Sequence, residues 1–263
     1  MIPPQNMAKL VILYGIGGLS DVGRHAIVAA LEKPTEVEHV TVITEYPELL
    51  DLSNWECGCP GGHTNPTKDE AYASKITMVP IDSWKNPQPN LSQHFQGASA
   101  VISCLGHRQP GIKNPQLIQR GLIATIGNQQ VLDAMKQAHV QRLVLTTSIG
   151  MGENIHWVGN IMKLFFWTNS RKAYQDLRNM EQLVTSTDEA DIDYLLVRPM
   201  GLGEEIVPVN EWFTQEKKGV DVLGLDMAKL DCARYLVQEA LHPTKSRTSI
   251  VVGPSGKKKT DTK

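Results

Sequence analysis

The chain opens with an apolar strand that runs directly into a glycine-rich turn and then into a helical pattern. The strand is predicted at residues 10–14 and the helix at residues 22–31. The glycines of the turn are Gly15, Gly17, Gly18 and Gly23. Glycines let the backbone approach an anion closely, and a helix start offers unpaired N–H groups and the positive end of its dipole. This unit is therefore predicted to hold the pyrophosphate of a dinucleotide.

The spacing of the turn departs from a strict G-x-G-x-x-G, because Ser20 stands where the third glycine would be. Asp21 complements the helix dipole, but its carboxylate would also repel a bound pyrophosphate. Arg24 could offset that repulsion. Two interpretations stay open here: a dinucleotide site, and an ordinary strand-to-helix connection that binds nothing.

Apolar, β-branched runs alternate along the chain with helical patterns or long polar stretches. The predicted strands cover residues 10–14, 40–44, 76–81, 100–105, 142–147, 194–197 and 249–252. The predicted helices cover residues 22–31, 117–138, 173–185 and 230–241. In the third helix Leu177 and Met180 share an apolar face, while Glu181 is expected to project away from it. This alternation predicts an α/β fold, a parallel sheet with helices on both faces.

The length of the chain, 263 residues with 41% hydrophobic, fits one large α/β domain. We expect this domain to span residues 1–253. Residues 47–74, rich in Gly, Pro, Asn and Asp, are expected to form a long loop insertion. Residues 200–228 are expected to form a small substrate-side cap, and residues 254–263 a disordered polar tail.

Charge and apolar patterning argue against several classes of partner. A formal net charge of -2 gives no general attraction to nucleic acid, and no apolar run is long enough to span a membrane. We expect a cytoplasmic protein with reduced thiols. Cys57, Cys59 and His63 suggest zinc ligands, but a fourth ligand and a second pair are missing, which favours loop cysteines without a metal. A redox-sensitive Cys-x-Cys stays open.

Several segments, in order, resemble the short-chain dehydrogenase/reductase superfamily. The similarity is greatest to its atypical NAD(P)H-binding members, the NmrA-like proteins and the biliverdin-IXβ and flavin reductases. The turn resembles the family's T-G-x-x-x-G-x-G, with Asp21 replacing the middle glycine. The other segments that carry the resemblance are residues 100–106, 143–150, 176–181, 193–199 with its Val-Arg-Pro, and 227–233.

The resemblance implies a Rossmann-like doubly wound parallel sheet, with an NAD(P)H cofactor lying across the carboxyl ends of its strands. Glu45 would contact the adenosine ribose, which favours NAD weakly over NADP, and Asp82 would contact the adenine. The residues expected around the pyrophosphate and under the cofactor are Gly15, Gly17, Gly18, Gly23, Arg24, Leu105 and Gly106.

The resemblance also implies a catalytic group of Ser148, Tyr174 and Arg178. Tyr174 and Arg178 have the family's Y-x-x-x-K spacing with Arg in place of Lys, so both share one helix face. A guanidinium does not replace an ammonium freely. An alternative alignment matches flavin-reductase-like members without a Tyr–Lys pair, in which Tyr174 is only an amphipathic residue at a helix edge.

The expected function is an NAD(P)H-dependent oxidoreductase that acts on a carbonyl, quinone or flavin-like acceptor. The alternative is a non-catalytic NAD(P)-binding redox sensor or scaffold, as NmrA-like proteins are, with a regulatory protein partner. A third interpretation, an assembly protein without cofactor, follows if Asp21 blocks the pyrophosphate. The expected partner is a small-molecule acceptor, and a homodimer is compatible with the sequence.

Overall fold

The strand that opens the chain lies inside an eight-stranded sheet. The computed structural model describes residues 7–15, 22–47, 74–106, 122–157, 159–160, 163–164, 171–203, 210–215, 223 and 226–254. The strands are β1 (Ala8–Tyr14), β2 (Val37–Thr44), β3 (Ile76–Pro80), β4 (Ala100–Cys104), β5 (Arg142–Thr146), β6 (Asp193–Pro199), β7 (Gly201–Gly203), β8 (Phe213–Gln215), β9 (Asp226–Ala228) and β10 (Thr248–Gly253). The α-helices are α1 (Val22–Leu31), α2 (Ala124–Ala138), α3 (Arg171–Thr185) and α4 (Lys229–Leu241). Two 3₁₀ helices are Leu91–Phe95 and Gly152–Trp157.

The strand order of the sheet is β3-β2-β1-β4-β5-β6-β10-β8. The pairs are parallel except for β8, which runs antiparallel to β10. From β1 the chain builds the sheet first toward β3 and then, from β4, in the opposite direction. The β1–β4 pair is therefore the topological switch point, where open α/β sheets bind their ligands. The predicted doubly wound α/β fold is confirmed.

Two apolar layers cover the faces of the sheet. On one face, α1 and α4 pack on alternate residues of the strands, for example Ile27 and Leu236 with Ile12. On the other face, α2 and α3 pack on the intervening residues, for example Val131 with Leu13. Both faces are buried, so the central strands are apolar throughout rather than alternating.

The predicted elements are confirmed with small changes at their ends. The second predicted helix begins at Ala124, and residues 117–121 lie outside the described part of the chain. Three short strands, β7, β8 and β9, were not predicted. They fall in the expected cap at 200–228, where β7 pairs with β9 and β8 extends the main sheet. Strands of three residues are too short to produce a recognisable alternation.

The start of α2 is capped by a residue of the neighbouring helix. Ile123, at the N-cap position, has no side-chain oxygen. Instead, the Asp176 carboxylate of α3 accepts hydrogen bonds from the backbone N–H groups of Ala124, at 2.9 Å, and Thr125, at 3.1 Å. The Thr125 hydroxyl donates back to the Asp176 carbonyl at 2.8 Å. These bonds satisfy N–H groups that a helix start leaves unpaired, and they fix α3 against α2.

We expect Asp176→Ala to lower the free energy of unfolding by about 1 to 2 kcal/mol, the usual cost of losing an N-terminal cap. Asp176→Asn keeps one acceptor and should lose less. Urea denaturation of the variants measures the difference, with the neighbouring exposed Gln175→Ala as the matched control. Equal stability of Asp176→Ala and the control would contradict the capping role.

Candidate functional site

The crevice at the switch point is lined by glycines at the ends of β1 and β4. Tyr14 pairs with Cys104 at the ends of the two strands. Gly15 directly follows β1, Gly106 lies two residues beyond the end of β4, and both are buried. Buried Leu105 lies between β4 and Gly106. The backbone is therefore what a ligand over this edge would meet first.

Helix α1 approaches β1 closely at Gly23. A Cβ added at Gly23 would lie 3.1 Å from both Cβ and Cδ2 of Tyr14, so a side chain there would require Tyr14 or the helix to shift by a few tenths of an ångström. This is the packing role of the last glycine in a dinucleotide turn, and the residues present fit a bound pyrophosphate in this respect. Arg24, in the first turn of α1, is half-buried. Gly17, Gly18 and Asp21 lie outside the described residues.

The acidic residues predicted to contact the adenosine follow β2 and β3. Glu45 comes directly after β2, is 6% exposed, and its side chain accepts a hydrogen bond from the backbone N–H of Trp84. Asp82 comes after β3 and is exposed. Their contacts with ribose and adenine stay predictions.

Ser148 and Tyr174 lie together, although 26 positions separate them in the chain. The Ser148 Oγ and the Tyr174 hydroxyl are 3.1 Å apart, in hydrogen-bond contact. Ser148 follows β5 at the carboxyl edge of the sheet, and Tyr174 is carried there by the first turn of α3. Both side chains are half-buried. The structure therefore brings together two of the three residues predicted for catalysis.

Burial raises the pKa of Tyr174 to about 12, although the hydrogen bond with Ser148 acts in the opposite direction. The phenol therefore stays protonated at neutral pH. Arg178, one turn further along α3, is exposed and does not contact the Tyr174 hydroxyl.

A buried arginine connects the segments that carry Ser148 and Tyr174. Arg198, near the end of β6, is 4% exposed. Its Nε and Nη2 donate to the two carboxylate oxygens of Glu181 in α3, at 3.1 and 2.8 Å. Its Nη1 donates to Glu153 at 2.7 Å, in the 3₁₀ helix that follows Ser148. The prediction that Glu181 projects away from the apolar face was wrong: Glu181 is buried because it pairs with Arg198.

The sequence contained only a partial signal for this ion pair. The Val-Arg-Pro segment was visible as a family motif, and a charged residue inside an otherwise apolar strand implies a buried partner. Which carboxylate pairs with it depends on the packing of α3 on β6, and no local pattern contains that information.

We expect Glu181→Gln to cost about 3 kcal/mol of folding free energy, because it removes the partner of a buried charge. Glu153→Gln should cost less than about 1 kcal/mol, since the Glu153 side chain is 64% exposed and water can replace it. Both variants replace a glutamate by glutamine, and both glutamates bind the same arginine, Arg198. Urea denaturation compares them, and equal losses would contradict the assignment.

The described residues contain no group of three or more His, Cys, Asp or Glu side chains that could hold a metal ion. Cys57, Cys59 and His63 lie outside those residues, so the interpretation of that loop stays a prediction. The two described cysteines, Cys104 and Cys232, are free and buried, and burial raises the pKa of Cys104 to about 12. Among the described helices, none has the length and apolar character needed to cross a membrane.

Comparison with known proteins places these features in a family context. The model of a family described as NAD(P)H-binding matches residues 63–243, more than half of the chain. No curated protein matches the chain by sequence.

Solved structures match nearly the whole chain at low identity. A Rossmann-fold NAD(P)-binding family protein from Shigella flexneri is 19% identical, with 96% of this chain and 98% of that chain covered and a TM-score of 0.57. ChuY from Escherichia coli O157:H7, described as an anaerobillin reductase, is 16% identical, with 95% and 98% covered and a TM-score of 0.62. A wide-type short-chain dehydrogenase/reductase from Veillonella parvula in complex with NADP is 16% identical, with 95% and 96% covered and a TM-score of 0.58. At these identities the similarity shows the fold.

Proposed function

The chain belongs to the NAD(P)H-binding family, and from that premise we propose that it is an NAD(P)H-dependent oxidoreductase of the short-chain type. Its acceptor would be a carbonyl, quinone or flavin-like compound. The observation that carries the proposal is the hydrogen-bonded pair of Ser148 and Tyr174 at the carboxyl edge of the sheet, near the switch point. The similar ChuY structure, described as a reductase, supports the direction of the reaction.

The residues proposed to hold the nucleotide surround the β1–β4 crevice. The described members of this set are Gly15, Gly23, Arg24, Leu105 and Gly106, and the sequence adds Gly17 and Gly18. When bound, the reduced nicotinamide supplies a hydride. The family includes users of both cofactors and one similar structure is an NADP complex, so the predicted preference for NAD gains no support.

In the proposed reaction Ser148 orients the acceptor oxygen and Tyr174 donates a proton to it. A carbonyl that receives hydride becomes an alkoxide, which is a stronger base than a phenolate. A phenol with a pKa of about 12 can therefore still protonate it. Because burial raises the pKa of Tyr174 to about 12, the proposed donor is the neutral phenol and not a partly ionised one.

The first test is a fluorescence titration with NADH and NADPH, following reduced-nicotinamide emission and energy transfer from the five tryptophans. We expect saturable binding of at least one nucleotide. Gly23→Ala should weaken it by about tenfold, about 1.4 kcal/mol, since a methyl group forced against Tyr14 displaces the helix start. The matched control is Gly159→Ala, because a Cβ at Gly159 would meet nothing within 4 Å. Absence of binding for both nucleotides would overturn the proposal.

The second test measures nucleotide oxidation with carbonyl acceptors in Tyr174→Phe and Ser148→Ala. We expect Tyr174→Phe to lower kcat/KM by about 10² to 10³, the usual contribution of a positioned proton donor. The protonated phenol is the active form and its pKa is about 12, so ionisation of Tyr174 should cause no loss of activity up to roughly pH 10. A decline between pH 7 and 9 that disappears in Tyr174→Phe would contradict the neutral donor.

A non-catalytic redox sensor is the second candidate, and the position of Arg178 favours it. The resemblance expects the cation of this helix position to serve the tyrosine, whereas the Arg178 side chain is exposed. A sensor would bind the nucleotide in the titration and show no turnover with any acceptor class. Loss of kcat/KM in Tyr174→Phe would exclude it.

A further inference from the structure

The Glu45 carboxyl group is directed at the protein backbone. It follows β2, where a carboxylate that binds the adenosine ribose would stand, but it is 6% exposed and accepts a hydrogen bond from the Trp84 N–H. Trp84 belongs to the loop of residues 82–88 that follows β3, which we call the Trp84 loop. Glu45 thus joins the end of β2 to this loop.

A second side chain holds the same loop from the opposite direction. Gln130 of α2 donates from Nε2 to the Trp84 carbonyl at 2.7 Å, and its Oε1 accepts from the Gln88 N–H at 2.8 Å. Gln88 in turn donates to the Ser83 carbonyl at 2.7 Å. The backbone N–H and C=O of Trp84 are therefore both bound by buried or half-buried side chains, that of Glu45 just after β2 and that of Gln130 in α2.

The indole of Trp84 connects this loop with the floor of the proposed nucleotide site. It is 0% exposed and belongs to the same apolar cluster as Leu105, which follows β4. A Cβ added at Gly127 of α2 would lie 2.8 Å from Leu105 Cδ1 and 3.5 Å from the indole, so Gly127 packs closely against both side chains. The Trp84 indole and Leu105 therefore pack against the same position of α2.

From these contacts we propose that Glu45 is a positioning residue for the nucleotide site and does not discriminate between NADH and NADPH. Its carboxyl group holds the Trp84 loop, and through Trp84 it holds Leu105, in the shape that receives the adenosine half. Since the carboxyl group already has a backbone partner and little exposed surface, it does not present its charge to the ribose 2′ position. This inference rests on the proposed function, because it concerns the same site.

The test compares dissociation constants for NADH and NADPH in four variants. Glu45→Gln removes the charge but keeps an oxygen that can accept from the Trp84 N–H. Glu45→Ala removes the acceptor, and Gln130→Ala removes the second attachment of the loop. The matched control is Gln129→Ala, an exposed glutamine adjacent in sequence on α2.

We expect Glu45→Gln to bind both nucleotides within about threefold of wild type, with an unchanged ratio, because a charge held on a backbone amide acts weakly at a distance. Glu45→Ala and Gln130→Ala should weaken both nucleotides by the same factor, about five- to thirtyfold, while Gln129→Ala changes nothing. If Glu45 bound the ribose through its charge, Glu45→Gln would not retain wild-type binding, and the ratio of the NADPH and NADH dissociation constants would change.

A shift of the NADPH to NADH ratio of about tenfold or more in Glu45→Gln would overturn the inference and leave the proposed function intact. If the wild type binds neither nucleotide, the proposed function fails and the inference with it. Thermal denaturation without nucleotide checks that each variant is folded. Glu45→Gln keeps an oxygen that can accept from the Trp84 N–H. Its NADPH to NADH ratio of dissociation constants therefore decides the question even if Glu45→Ala does not fold.

Discussion

The close contact between helix α1 and strand β1 is the constraint on which the candidate site depends. Gly23 permits it, since any side chain there would meet Tyr14 at 3.1 Å. The contact brings the start of α1 beside the carboxyl end of β1, at the point where the sheet reverses its direction of growth. A helix start offers N–H groups and the positive end of its dipole to an anion bound at this edge. The remaining elements of the site are arranged around this edge.

Polar side chains that cross between elements hold the loops of that edge in place. Asp176 fixes α3 on α2, Arg198 fixes α3 and the segment after Ser148 on β6, and Glu45 fixes the Trp84 loop on β2. Each partnership removes polar groups from water, which is unfavourable unless the geometry compensates it. The benefit is preorganisation: a 3.1 Å contact between Ser148 and Tyr174 requires that their elements do not slide.

Helices and strands, which depend on the pattern of neighbouring residues, were predictable from the sequence. Contacts between side chains far apart along the chain were not. The seven longer strands and four helices were predictable because a buried parallel sheet needs continuous apolar runs, and its helices need an apolar face. The pairing of Ser148 with Tyr174 followed from a family resemblance. The burial of Glu181 and the backbone partner of Glu45 were not predictable, since each depends on a residue 17 or 39 positions away whose approach is determined by packing.

The environment of Tyr174 also bears on which acceptor suits the proposed reaction. A phenol with a pKa of about 12 gives up its proton more readily to a stronger base than to a weaker one. The alkoxide formed from a carbonyl is such a base, whereas the anion of a hydroquinone, itself a phenol with an ordinary pKa of about 10, is not. In the proposed reaction, proton donation by Tyr174 would therefore contribute more to reduction of a carbonyl than of a quinone. Reduction of a quinone would depend on water and on the positioning of the two rings.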